Sequence, residues 1–193
     1  MESFKFVNTS IEGLKLIHPF LAPDDRGCFM KTYERRLFKE NGIDMGNDED
    51  VVSFSRKGVL RGLHFQTKYA QDKLIRVYRG EVYDVAVDLR KNSPTMGHWE
   101  GFYLSGENHL ELYVPSGFAH GYLALTDDVI FSYRGGQPYA PDYEAGIVWN
   151  DVDLGVRWPL ESIDELIISP KDQKLQTFAE FRTHSEGFEG TEA

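Results

Sequence analysis

The run GEVYDVAVDLR, residues 80–90, alternates over eight positions in the manner of a strand with two different faces. Tyr83, Val85, Val87 and Leu89 point one way, and Val82, Asp84, Ala86 and Asp88 point the other. HLELYVP repeats the device, with Leu110, Leu112 and Val114 on one face, and KLIRVYR, HWEGFYLS, GYLALT and VIFSYRG are further runs of strand length. The turn punctuation RKG, KNSPT, LSGEN and PSG lies between them. Many short strands at roughly even spacing predict an all-β chain folded as a sandwich or a barrel-like jelly roll. Helical pattern is scarce. Residues 34–41 (ERRLFKEN) predict one short helix closed by Gly42, and residues 162–168 and 175–182 predict two more toward the C-terminus.

The length, 193 residues, favours one domain over residues 1–193. With 41% hydrophobic and 27% charged residues, the chain has the balance of an ordinary globular protein rather than a disordered one. The tail after about residue 172 is more polar and acidic, and its last ten residues are candidates for disorder. A net charge of -10 repels a polyanion, so no nucleic-acid partner is expected. A small anionic substrate stays open, because a few local Arg and Lys side chains override the global field. The single cysteine, Cys28, can form neither an intrachain disulfide nor a cysteine zinc cluster and suggests a reducing compartment. MESFKFVNTS carries no apolar run of signal-peptide length, and no stretch approaches the roughly 18 apolar residues of a membrane helix. A cytoplasmic protein without a membrane partner is the expectation.

Several polar residues sit inside the apolar pattern. His64, in GVLRGLHFQ, shares strand parity with Leu60 and Gly62 and reads either as a hydrogen-bonded core histidine or as a functional one. Arg61 beside it favours function, since packing explains such an arginine poorly. His120, in PSGFAHGY, reads either as a turn-flanking histidine satisfied by backbone or as a ligand to a metal or a phosphate. A metal-binding cupin barrel would add an H-x-H pair and a following Glu. Here that place holds His64, Phe65 and Gln66, with no Glu before Glu81. Two of four ligands argue against a metal. Lys73 shares parity with Ile75 and Val77, and Arg76 with Leu74 and Tyr78; the plain reading is solvated edge residues, accepted for Arg79. Tyr133 and Tyr139 flank the turn RGGQP as packing residues with wet hydroxyls. Asp172, after Lys171 in SPKD, reads in isolation as an exposed turn carboxylate.

Together these pieces resemble the dTDP-4-dehydrorhamnose 3,5-epimerase family. The resemblance runs through GVLRGLHFQ, QDKLIRVYRGEVYDVAVDLRKNSPTMGHW, LSGEN to VPSGFAHGY, and SYRGGQPYAPDYEAGIVWNDVDLGVRWP, with DDRGCF before and ISPKD after. It implies a cupin-like jelly roll with a few short helices, a homodimer, a nucleotide-sugar substrate, and neither metal nor organic cofactor. It further implies His64 as general base, Asp172 as its dyad partner, Tyr133 as the acid on the opposite face of the sugar, and Lys73 as the cation that stabilises an enolate. Asp84 is implied behind this cluster. Arg61, His120 and Lys171 correspond to diphosphate or sugar contacts, Arg26 to a nucleotide contact, Glu144 to a binding position, and Tyr139 to the residue that stacks on the nucleobase. Such residue types suit the chemistry. A C–H beside a ketone becomes acidic only when the enolate is stabilised by a fixed cation. A histidine can take and hold that proton, and a carboxylate behind it fixes its tautomer.

The residues leave open whether one carbon or two is inverted, because related members that invert only one, usually C3, use the same base and acid. A sugar-nucleotide 3,4-ketoisomerase fits GVLRGLHFQ and SPTMGHW less well, and a catalytically dead binding module would not need His64, Lys73, Tyr133 and Asp172. The sequence departs from the family pattern around the nucleobase. Lys31 stands where the pattern has Glu, and Glu49 and Val51 stand where it has Gln and Asn. These changes alter the groups that would read the base, so thymidine recognition is expected to be weakened or rebuilt while the sugar chemistry is kept.

Overall fold

A computed structural model describes residues 3–184. In chain order the strands are β1 (Lys5–Asn8), β2 (Lys15–His18), β3 (Phe20–Asp24), β4 (Gly27–Lys31), β5 (Glu49–Ser55), β6 (Val59–Gln66), β7 (Lys73–Arg79), β8 (Glu81–Asp88), β9 (Trp99–Ser105), β10 (Glu111–Val114), β11 (Phe118–Ala124), β12 (Val129–Gly135), β13 (Glu144–Gly146) and β14 (Ile167–Ile168). Helix α1 (Arg35–Glu40) precedes β5, and α2 (Phe178–His184) follows β14. One sheet runs β1-β2-β10-β7-β12-β5. The second runs β13-β6-β11-β8-β9, with β14 parallel to β6. The expected jelly-roll architecture is therefore present, with β3 and β4 forming a separate hairpin.

The strand alternation is realised as read. Val82 and Ala86 of β8 enter the core between the sheets together with Ile75, Val77, Leu112, Val114, Phe118 and Phe131. Val85, Val87 and Leu89 enter a second cluster on the outer face, where Trp158, Phe178 and Phe181 of the C-terminal segment cover the sheet. A strand buried on both sides needs apolar residues in both registers, which explains the density of this segment. On the outside of the first sheet, Leu74 and Tyr113 pack under Phe38 of α1 with Ile17, Ile43 and Met45. Burying each such aliphatic side chain stabilises the fold by about 1.5–3 kcal/mol.

Four expectations change. Residues 162–168 are not a helix: a 3-10 turn (Leu160–Ser162) leads to β14, which pairs with the edge of β6. The last helix begins at Phe178, after Thr177 has entered a hydrogen-bond exchange with Glu180. Arg76 is not solvated. It faces its register partner Glu111 across β7 and β10, Nε to Oε1 at 3.0 Å, with both side chains buried. Asp172 is likewise buried. The predicted helix before β5 stands as α1, with Gly42 past its end at φ +79°. The expectation of terminal disorder concerns residues beyond 184 and lies outside the described residues.

Candidate active site

Strand β6 builds the centre of the site through one irregularity. Leu60, Leu63 and Phe65 all pack into the outer cluster, a spacing of three and then two that regular alternation forbids. The register shows the cause. His64 faces His120 and Arg61 faces Tyr122, so one extra residue is accommodated on β6 as a β-bulge. Gly62 makes it possible. Its φ is +125°, and a Cβ there would lie 2.5 Å from the Cα of Gly121. The bulge turns both Arg61 and His64 toward a cavity between the sheets, so His64 does not share a face with Leu60 as strict parity implied. The cavity has a volume of roughly 650 Å³ and is walled by β5, β6, β7, β11, β12 and the segment after β14.

Asp172 reaches this face from 108 residues away and accepts from His64 Nε2 at 2.9 Å through Oδ1. Its Oδ2 accepts the Gly62 N–H at 3.3 Å, so the bulge that orients His64 also holds its partner. Burial opposes ionisation of Asp172, but the hydrogen bonds and charge of His64, with Gly62 and Ser169, outweigh it and lower its pKa. A neutral imidazole against that carboxylate carries its proton on Nε2, which leaves the lone pair on Nδ1.

Lys73, at the start of β7, has its ammonium 5.1 Å from the centre of the Tyr133 ring. Burial pushes its pKa down to about 8, while the charges of Asp84, Glu144 and Glu49 act the other way. Tyr133, on β12, is pushed up to about 12 by burial, reinforced by Glu49, Tyr139 and Glu144. Near neutral pH the pair therefore offers a mainly protonated ammonium and a protonated phenol.

His120 lies opposite His64 on β11 and is buried. Its Nε2 is 2.9 Å from both oxygens of the fully buried Asp84 on β8, which places Asp84 behind the cavity wall. At the mouth, Glu144 accepts from Lys171 Nζ at 2.6 Å and from the Tyr139 hydroxyl. Glu49 accepts the Tyr139 backbone N–H at 3.2 Å and Gln71 Nε2 at 2.8 Å, and Val51 lines the wall beside it. Arg26 and Lys31 do not line this cavity. Both lie on the β3–β4 hairpin, where Arg26 pairs with Asp24 and Lys31 with Glu34. Among the described residues no group of three or more His, Cys, Asp or Glu side chains is placed to hold a metal.

Sequence reading missed Gln66 and Ser53. Gln66 accepts the Ala140 N–H at 2.7 Å and donates to the Tyr69 carbonyl at 2.8 Å, tying the Tyr139 loop to β6. The available signal was spacing: Gln66 is two residues beyond His64, and Ser53 two beyond Val51, each on a cavity-facing register. An imidazole, an ammonium and a phenol around one cavity form a set suited to moving protons at carbons beside a carbonyl.

The family model described as dTDP-4-dehydrorhamnose 3,5-epimerase matches residues 8–180. A dTDP-4-dehydrorhamnose 3,5-epimerase of Methanothermobacter thermautotrophicus is 50% identical over 180 residues, covering 93% of this chain and 97% of the relative. Among solved structures, a dTDP-6-deoxy-D-glucose-3,5-epimerase from Legionella pneumophila, in complex with dTDP-4-keto-L-rhamnose, is 41% identical with a TM-score of 0.87, covering 91% of this chain and 93% of that one. A 3′-monoepimerase from Streptomyces bikiniensis, in complex with dTDP-quinovose, is 33% identical with a TM-score of 0.85, covering 91% of this chain and 88% of that one. With the match running through every strand that lines the cavity, the chain belongs to the dTDP-4-dehydrorhamnose 3,5-epimerase family.

Proposed function

We propose that the cavity binds a nucleoside-diphosphate 4-keto-6-deoxyhexose and inverts the two carbons that flank its ketone, C3 and C5. The observation that carries this reading is the His64–Asp172 pair facing a cavity that also holds Lys73 and Tyr133. His64 Nδ1 takes the proton from carbon, and Asp172 stabilises the imidazolium that forms. The electron pair moves onto the ketone oxygen, where the Lys73 ammonium balances the developing charge. Tyr133 then delivers its hydroxyl proton to the opposite face of the same carbon, and solvent restores both groups. Tyr139 stacks on the base, and Arg61, His120 and Lys171 meet the diphosphate and sugar. Inversion at C3 alone is the second reading, favoured by the likeness to a 3′-monoepimerase.

The test is a turnover screen across nucleotide-linked 4-keto-6-deoxy sugars, read by NMR. Conversion to epimers supports the proposal; isomerisation of the keto group to C3 would point to ketoisomerase chemistry instead. Activity is expected to survive EDTA, because His64 and His120 supply two of the four cupin ligands and, among the described residues, no group of three or more His, Cys, Asp or Glu side chains is placed to hold a metal. Activity lost in chelator and restored by one divalent ion contradicts this. Glu49 and Val51 are proposed to alter base selection, with Lys31 contributing from the hairpin. Calorimetry with TDP, UDP, CDP and GDP should then give no preference for TDP as large as tenfold, about 1.4 kcal/mol.

The working form is proposed to be a cytoplasmic homodimer. The β3–β4 hairpin leaves Phe29 64% exposed, and the free edge strand β5 leaves Phe54 72% exposed. A second copy would cover such surfaces, and the hairpin would carry Arg26 toward the partner's nucleotide. Light scattering should give twice the 22.1 kDa monomer mass; the monomer mass at micromolar concentration contradicts the dimer.

A further inference from the structure

A chain of hydroxyls runs along the cavity wall, and its direction follows from counting hydrogens. The buried Tyr122 hydroxyl lies 2.9 Å from Ser53 Oγ and 3.0 Å from Ser55 Oγ. Ser55 Oγ is also 3.4 Å from Arg61 Nε. Both serines point inward because they alternate on β5 with the exposed Val52 and Phe54. The Tyr122 ring lies flat on Phe131, centroids 4.1 Å apart, which fixes its hydroxyl. Arg61 can only donate, so Ser55 accepts from it.

Tyr122 has one hydrogen and two hydroxyl neighbours, so one serine must donate to it. If Ser53 donated, Tyr122 would give its hydrogen to Ser55. Among the described residues the buried Ser55 side chain has only these two hydrogen-bond partners, so its hydrogen would then have no acceptor there. If Ser55 donates, every buried hydrogen is used. The order is then Arg61 to Ser55, Ser55 to Tyr122, and Tyr122 to Ser53, and the surplus hydrogen emerges on Ser53. Ser53 is half-buried and lines the cavity. At the other end, the Arg61 guanidinium also lines the cavity and, among the described residues, has no carboxylate within ion-pair distance. A wall that offers a hydroxyl donor and an unneutralised guanidinium suits a phosphoryl oxygen.

We infer that Ser53 donates a hydrogen bond to the diphosphate of the bound sugar nucleotide, with Tyr122 as the positioning residue that aligns it. This inference rests on the nucleotide-sugar reading above. The test is calorimetric binding of pyrophosphate, together with kcat and KM on the sugar nucleotide. Ser53→Ala should weaken pyrophosphate binding roughly tenfold, the size of one hydrogen bond to a charged group. Tyr122→Phe keeps the ring stack but leaves the Ser55 hydrogen without its acceptor, so it should lower the melting temperature by a few degrees while weakening pyrophosphate severalfold and raising KM more than it lowers kcat. The double variant should bind no more weakly than Ser53→Ala alone. Unchanged pyrophosphate affinity in Ser53→Ala overturns the inference. So does a loss of turnover with pyrophosphate affinity intact, because the acceptor would then be on the sugar. Additive losses in the double variant overturn the role of Tyr122. If the parent protein neither binds pyrophosphate nor turns over any sugar nucleotide, the functional reading itself fails and the inference falls with it.

Discussion

Two histidine–carboxylate pairs face the same cavity from neighbouring strands, and they are built differently. His64 and His120 are register partners, and each presents Nε2 to an aspartate at 2.9 Å. His64 keeps 27% of its side chain exposed and is held through one oxygen of Asp172, which arrives on a separate segment. His120 keeps 8% and is held by both oxygens of Asp84, from the adjacent strand of the same sheet. The first pair leaves an imidazole with one edge open to the cavity. The second is locked into the core, where His120 also stacks near Phe131. The same two residue types thus make an accessible imidazole in one place, where a base is proposed, and a buried wall in the other.

The largest expected effect separates the two pairs outright. His64→Ala should lose solvent-deuterium wash-in by at least ~10²-fold, the usual worth of a general base, whereas His120→Ala should weaken substrate binding and keep measurable wash-in. Equal losses of wash-in in both variants would erase the distinction. Tyr133→Phe should come next, with inversion falling at least ~10-fold while exchange on the His64 face survives. Inversion at the parent rate would assign the acid to another group.

How far the sequence foretold this contrast depends on which contacts are local. The alternation of β8 is a property of eight adjacent residues, and the two clusters on its faces follow from it. The inward face of Lys73 was visible in the same way, through its parity with Ile75 and Val77. The bulge at Gly62 was not visible, because it depends on the approach of Gly121 from β11. Asp172 looked exposed because nothing near it in sequence buries it; β6, 108 residues upstream, does so. Arg76 was misread for the same reason, its carboxylate lying on β10. The dyad role proposed for Asp172 came from family resemblance, not from the residues around it.

A smaller effect tests the locked pair through stability. Asp84→Ala leaves the buried His120 N–H without its acceptor and should cost about 1–3 kcal/mol, lowering Tm by roughly 2–4 °C per kcal/mol for a chain of this size. Asp172→Ala should cost less stability and more turnover; the reverse order would undo the comparison. The smallest effect is set by pH. Lys73 is charged below its pKa of about 8 and neutral above it. As pH rises, kcat/KM should therefore halve near 8 and then fall about tenfold per unit. Lys73→Arg, which stays charged, should remove that limb, and a limb unmoved by the substitution would take Lys73 out of the role.

The most direct measurement follows a nucleotide-linked 4-keto-6-deoxy sugar by NMR in deuterium oxide with the unaltered enzyme. Proton abstraction by His64 predicts solvent deuterium at both carbons flanking the ketone, with inverted product accumulating. Inverted product without deuterium at either carbon, or no exchange and no product, would contradict the account.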